Sequence, residues 1–261
     1  MNTRNKLLIA LLILIISLSD LLANQYSFRK YLHVEIFYEN IYKDSIELGV
    51  KYNIPPAAIM AIAGLESGYG RGYVAQITGN ILSLGAYKSD KELPSLYLPY
   101  SKSLKTVLFD PKEIKKHIKS DLVWKQRPRS LKRDYRPTQY AGTTKNLELL
   151  KYDKRLNEKA NKACIKDFVT RWINESSNIK VFSNAKIWLN EEVSKHGIKV
   201  LFTKEINEKF IDTIGGHLHS FNYRKTWPKK AKLIMRKTGL VDLSKDLYIN
   251  KLNFKESWRV K

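Results

Sequence analysis

The sequence predicts a mainly α-helical (α+β) fold around one buried central helix, with a small loop or β-hairpin lobe beside it. Three observations carry this. Residues 57–65 are apolar or small without interruption, with Pro55 and Pro56 before them and Gly68, Gly70 and Gly72 after. Such a helix offers water no face and belongs in a core. Further stretches space their apolar residues at the helical period of three and four. From Asn80 to Pro111 that period is lost, and Pro94 and Pro99 break the chain, as in loops and short hairpins. At 261 residues and 43% hydrophobic content, the chain can form one compact domain with a true core, which excludes disorder as its main state.

Taken in order, MNTRNK carries Arg4 and Lys6, and LLIALLILIISL (7–18) follows, the charged and apolar regions of an export signal. Ser17 and Ser19 suit a cut before Asp20. Left uncut, residues 7–23 would form a short membrane anchor, slightly below the roughly 20 apolar residues that a span needs. In 38–53, Ile41, Tyr42, Ile46 and Val50 predict an amphipathic helix. The central helix then runs from the prolines, which suit a first helical turn, to about Ser67, with glycine as its stop. Its small residues Ala57, Ala58, Ala61, Ala63 and Gly64 let neighbours approach closely. WKQRPRSLKRDYRP (124–137) is basic and broken by proline, which predicts an exposed extended loop. Helical spacing returns in 146–174, 184–197, 205–216 and 227–240, the last opened by Trp227-Pro228 and closed by Gly239.

Lys and Arg number 47 against 25 Asp and Glu, a net charge of +22. The surface therefore carries a broad positive potential suited to anionic partners, although charge of this kind says nothing about fold. Cys164 is the one cysteine, so no internal disulfide can form and the core must supply the stability.

Against this background Glu66 stands out. Ile62 and Ile59 precede it by four and seven residues, so its carboxylate shares a helix face with apolar side chains. It also falls at the helix C-terminus, where the macrodipole disfavours negative charge. Both effects raise a carboxyl pKa, and a carboxyl that keeps its proton near neutral pH is a general acid for a glycosidic leaving oxygen. On these residues alone Glu66 is either that acid or the cap of a core helix.

AIMAIAGLESGYGRGYVAQITGNILSLGAYK (58–88) resembles the glucosaminidase domain of glycoside hydrolase family 73, peptidoglycan hydrolases related to the lysozyme superfamily. In that family a helix of small apolar residues ends in Glu-Ser-Gly-Trp-Gly, and an Asn-Leu-Phe-Gly segment follows. Glu66, Ser67, Gly68, Tyr69 and Gly70 match, with Tyr in place of Trp. Asn80 falls at the corresponding distance, before a slightly longer ILSLG. FNYRKTWPKKAKLIM (221–235) resembles the family's closing pair of tyrosines and its helix. Strict spacing puts Phe221 and Trp227 at the tyrosine positions, with Tyr223 the favoured stand-in for the active-site tyrosine.

The resemblance implies a lysozyme-like helical domain over 24–261, with a basic insertion around 110–180, behind a signal peptide or anchor at 1–23. It implies hydrolysis of the β-1,4 bond after N-acetylglucosamine in peptidoglycan, with Glu66 as general acid. Water would be activated by a second carboxylate about 6.5–9.5 Å away, or the sugar's acetamide would act as internal nucleophile. Glu92 and Asp110 are candidates for that second acid, since they lie where the family tends to carry it. Ser67, Tyr69 and Asn80 are candidates for substrate binding; Tyr69 could equally pack the helix end, and Asn80 could fix its loop. His217 and His219 form an H-x-H pair without a third ligand at metal spacing, so neither metal nor cofactor is expected. The expected partner is the glycan strand, in the periplasm or cell envelope, with membrane anchoring through the N-terminal segment if it is uncut; nucleic acid is not expected for an exported chain. A lytic transglycosylase using the same Glu and a noncatalytic wall-binding protein are the competing readings.

Overall fold

A computed structural model describes residues 26–87, 89–127 and 135–259. The segment at 1–23 that the sequence predicts to be an export signal or anchor, and residues 128–134 of the basic stretch, lie outside the described residues. Among the described residues no helix is long and apolar enough to cross a membrane.

The first helix, α1 (Leu32–Lys51), begins before residue 38, because LHVEIF continues the same apolar face: Val34, Phe37, Tyr38, Ile41 and Ile46 are all buried. The central helix α2 spans Pro56–Ser67. Pro55 sits in the extended conformation that precedes a helix, Pro56 takes the first turn, and Gly68 ends the helix in the left-handed region at φ 56°. Tyr69 and Gly70 are left-handed as well, and this turn carries the chain sharply off the helix end.

Every residue from Ala57 to Gly64 is buried. Helix α2 is surrounded by α1, α9 (Lys204–Ile214), α10 (Trp227–Thr238) and α11 (Leu240–Tyr248). Its small residues permit this. A Cβ added at Gly64 would sit 2.5 Å from the Tyr38 hydroxyl of α1. The bulky positions supply the cohesion, since burying each of Ile59 and Ile62 is worth about 1.5–3 kcal/mol. No side chain caps α2 from within its own sequence. Instead buried Asn207 of α9 accepts from the Ala58 amide at 2.8 Å and donates to the Leu201 and Thr203 carbonyls at 2.9 and 2.7 Å, which satisfies a first-turn amide that a helix leaves open.

After the turn, α3 (Tyr73–Thr78) leads to the loop at Asn80 and then to a lobe of three antiparallel strands: β1 (Tyr97–Ser101), β2 (Thr106–Val107) and β3 (Leu122–Gln126), in the order β2-β1-β3. Tyr97 pairs with Gln126 and Ser101 with Leu122. A short helix α4 (Pro111–Lys116) bridges β2 and β3. Asp121 pins the lobe by accepting from the Ser101 hydroxyl at 2.7 Å and the Ser103 amide at 2.8 Å, which with the His117 contact hold its carboxyl down at about 2.

At its described ends, 124–127 and 135–137, the basic stretch departs from the exposed loop that its charges and prolines predict. Trp124, Lys125 and Gln126 belong to β3, and Tyr135 and Arg136 are buried. Pairing with β1 supplies partners for the strand's amides and carbonyls that its own sequence does not reveal. Three helices follow: α5 (Thr138–Ala141), α6 (Thr144–Leu150) and α7 (Lys154–Asp167). Thr143 and Asp153 cap α6 and α7 by accepting from the Asn146 and Leu156 amides. A π turn at Phe168–Trp172 continues α7, and α8 covers Lys180–His196. Leu96, Ile77, Ala141, Leu147, Leu150 and Ala160 form a second, smaller apolar cluster joining the lobe to α3 and α5–α7. The final described helix is α12 (Phe254–Arg259).

Candidate functional site

Glu66 lies in the last turn of α2 and lines a cleft of about 230 Å³. Ser67, Tyr73 and Asn80 form part of its wall, and Phe109 and Arg127 come from the lobe. The cleft therefore lies between the helical core and the sheet. Glu66 is the one carboxylate among the described residues that line it.

The partner of Glu66 comes from far along the chain. The indole Nε1–H of Trp227 donates to Glu66 Oε1 at 2.6 Å. Trp227 is 4% exposed and opens α10, with Pro228 behind it. Two backbone bonds hold the segment before it, from the Gly216 amide to the Asn222 carbonyl and from the Phe221 amide to the Ile214 carbonyl. The Phe221 ring lies 5.3 Å from that of Trp227, centre to centre.

Burial pushes the Glu66 carboxyl above its ordinary value, while the Trp227 bond and the Arg224 guanidinium pull it partly back. The position near the C-terminal end of α2 adds to the rise, since the helix dipole opposes negative charge there. Oε1 already accepts a hydrogen bond from the indole N–H, so the acidic proton is favoured on Oε2. The arrangement is a carboxyl whose pKa burial raises, fixed in orientation by a buried donor and set against a cleft. It can protonate a leaving oxygen and, once ionised, accept a proton from water.

The other predicted residues take different places. Ser67 is buried; its hydroxyl donates to the Ala63 carbonyl at 2.5 Å and accepts from the Gly70 amide at 2.7 Å, which shapes the turn behind Glu66. Tyr69 does not line the cleft; its ring meets Phe37, Tyr38 and His33 edge-on, and burial pushes its phenol up to about 12. Asn80 lines the cleft, but its side chain is engaged in the loop, bonding Leu84 through both its amide and its carbonyl and the Tyr135 carbonyl at 3.2 Å.

Asp110 caps α4 by accepting from the Lys112 amide at 2.8 Å, at the exposed edge beyond Phe109. Glu92 is exposed on the chain leading to β1 and lines no part of the cleft. Tyr223 is 65% exposed beneath the Arg224 guanidinium and also stands outside the cleft wall. The His217 Nε2 contacts the Thr213 carbonyl at 3.0 Å. Among the described residues no group of three or more His, Cys, Asp or Glu is placed to hold a metal ion.

Trp227, not Tyr223, is the residue of the closing motif that contacts Glu66. Its signal was present in the strict spacing of the closing motif, which falls on Trp227. Arg224 carried no comparable signal, being one cation among many in a basic chain. Compared with protein-family models, curated proteins and solved structures, the chain matches none.

Proposed function

We propose that the protein is an exported peptidoglycan hydrolase that cleaves the β-1,4 bond after N-acetylglucosamine, with Glu66 as the general acid. The observation that carries this reading is the single desolvated carboxyl at the cleft, held by a buried indole N–H. The resemblance of 58–88 to the family 73 glucosaminidase domain, with its lysozyme-like fold, supports it from the sequence.

In this reading the glycan lies along the cleft with its scissile oxygen at Glu66 Oε2. The proton passes to that oxygen as the bond from C1 breaks. The neighbouring acetamide oxygen bonds to C1 in its place, a route that needs no second carboxylate and so suits the described wall. Water then adds at C1 as the bond from C1 to the acetamide oxygen breaks and the acetamide is restored, while the Glu66 carboxylate takes the water's proton, which restores the acid. Trp227 acts as a positioning residue by fixing Oε1 throughout.

The same single carboxylate also favours a second reading. In a lytic transglycosylase the sugar's own 6-hydroxyl attacks C1 and leaves a 1,6-anhydro end. Digestion of purified peptidoglycan, followed by mass spectrometry, separates the two. The hydrolase yields fragments that have gained water, with new reducing N-acetylglucosamine ends. Anhydro ends assign the transglycosylase. Intact glycan after exhaustive incubation with the folded full chain overturns both and leaves a wall-binding protein as the reading.

A further inference from the structure

The cleft at Glu66 is not the larger hollow on this side of the molecule. Beyond Tyr73, which lines both, lies a pocket of about 620 Å³, within the range of roughly 300–1,000 Å³ usual for small-molecule sites. Its floor is α3, through Tyr73, Gln76 and Ile77. Its far walls come from the basic middle of the chain: Trp124 of β3, Tyr152 in the turn after α6, and Asn157 of α7. None of these wall residues falls within 58–88 or 221–235, the stretches that carry the family resemblance.

Three aromatic rings meet this space. Trp124 and Tyr73 lie with ring centres 5.7 Å apart, tilted by 44°. Trp124 is 52% exposed and Tyr152 86% exposed, a large aromatic surface for a folded protein to leave in water. Amide groups lie among them. The exposed Gln76 side chain lines the pocket, and Asn157 donates to the Gln76 carbonyl at 2.9 Å.

The pocket's charges are matched internally, in contrast with the basic surface as a whole. Lys151 Nζ lies 2.8 Å from both oxygens of Glu148, and Lys154 Nζ lies 3.7 Å from Glu158. A site for an anionic polymer would present cations without such partners. Aromatic faces, amides and neutralised charge suit an uncharged polar ring with one apolar face, the chemistry of an N-acetylated sugar.

From this arrangement we infer that the Trp124–Tyr152 pocket is a distal subsite for a neutral N-acetylhexosamine unit, walled by the inserted middle of the chain over α3 and adjoining the Glu66 cleft at Tyr73, which lines both. The inference rests on the proposed glycan substrate. Its consequence is a preference for long strands: a chain reaching the pocket binds through contacts that a short fragment cannot make.

The test compares kcat/KM on a long β-1,4-linked N-acetylglucosamine oligomer with that on a short one, for wild type, Trp124→Ala and Tyr152→Ala. The long-to-short ratio is expected to fall about tenfold in each variant. Tyr152 is so exposed that its loss leaves folding intact, so the test survives if Trp124→Ala is unstable. In parallel, the long oligomer is titrated into Glu66→Gln while the Trp124 indole N–H resonance, assigned from Trp124→Ala, is followed by NMR. A resonance that moves on binding, and weaker binding in the Tyr152→Ala background, support the subsite. An unchanged ratio with an unmoved resonance overturns it, and so does a resonance that responds to polyphosphate but not to the oligomer. If the wild type cleaves no glycan yet the oligomer moves the Trp124 resonance, the proposed catalysis fails while the sugar subsite stands.

Discussion

Gly215 lies directly against the indole of Trp227: a Cβ built on it would stand 2.2 Å from ring atoms Cε3 and Cζ3. The backbone there is extended, at φ −144°, so the constraint is one of space and not of backbone conformation. The hydrogen bond from Trp227 to Glu66 therefore depends on a missing side chain in a third segment.

Gly215→Ala is expected to displace the indole and to lower both stability and activity. Overpacking of this kind costs about 1–3 kcal/mol. The thermal midpoint should fall together with glycan cleavage. A variant that keeps wild-type values of both would show that the ring can shift at no cost.

Trp227→Phe removes the N–H donor and keeps an aromatic ring. The bond lowers the Glu66 pKa, so its loss moves that pKa further up, and the basic limb of the pH–rate profile shifts to higher pH. The freed carboxyl also loses its fixed orientation, and kcat should fall about tenfold. A lower kcat with an unmoved basic limb would reduce Trp227 to a packing role.

Glu66→Gln should abolish cleavage, a loss of about 10²–10⁴-fold for a missing general acid, and it should also change how stability depends on pH. The folded-state pKa of Glu66 is raised above its ordinary 4.5, so the folded protein binds this proton more tightly than the unfolded chain. The stability this contributes is fully present below about 4.5 and is lost as pH rises through the raised value. Relative to wild type, Glu66→Gln should therefore gain stability between acid and neutral pH. Urea melts at the two pH values measure it, and a constant difference would count against a desolvated carboxyl.

Asn207→Ala should cost about 3 kcal/mol, because it strips partners from buried backbone groups of α2 and of the turn before α9. Cleavage should fall only as far as the folded fraction does. Hydrogen exchange at Ala58 reports the cap directly, and unchanged protection there would contradict it.

Helix α2 was legible because everything that makes it is local. Pro55 and Pro56, the apolar run and Gly68 act on their own few residues, and the observed Pro56–Ser67 reflects them. The placement of Glu66 on an apolar face was legible for the same reason, since helical periodicity converts spacing into direction. The β3 strand was hidden, because a basic, proline-punctuated stretch carries no alternation and its hydrogen bonds go to residues of β1.

Residue order alone specifies a mainly helical chain, a buried central helix and the carboxylate in that helix's last turn. The tertiary structure decided the rest: that Trp227 holds Glu66 across 161 positions, that Asn207 caps α2, that Gly215 makes room for the indole, and that Trp124 and Tyr152 face one pocket. Periodicity and chain-stop residues act over a few bonds and leave a trace in residue order. Hydrogen bonds and steric fit between distant segments come into being only when packing brings them together.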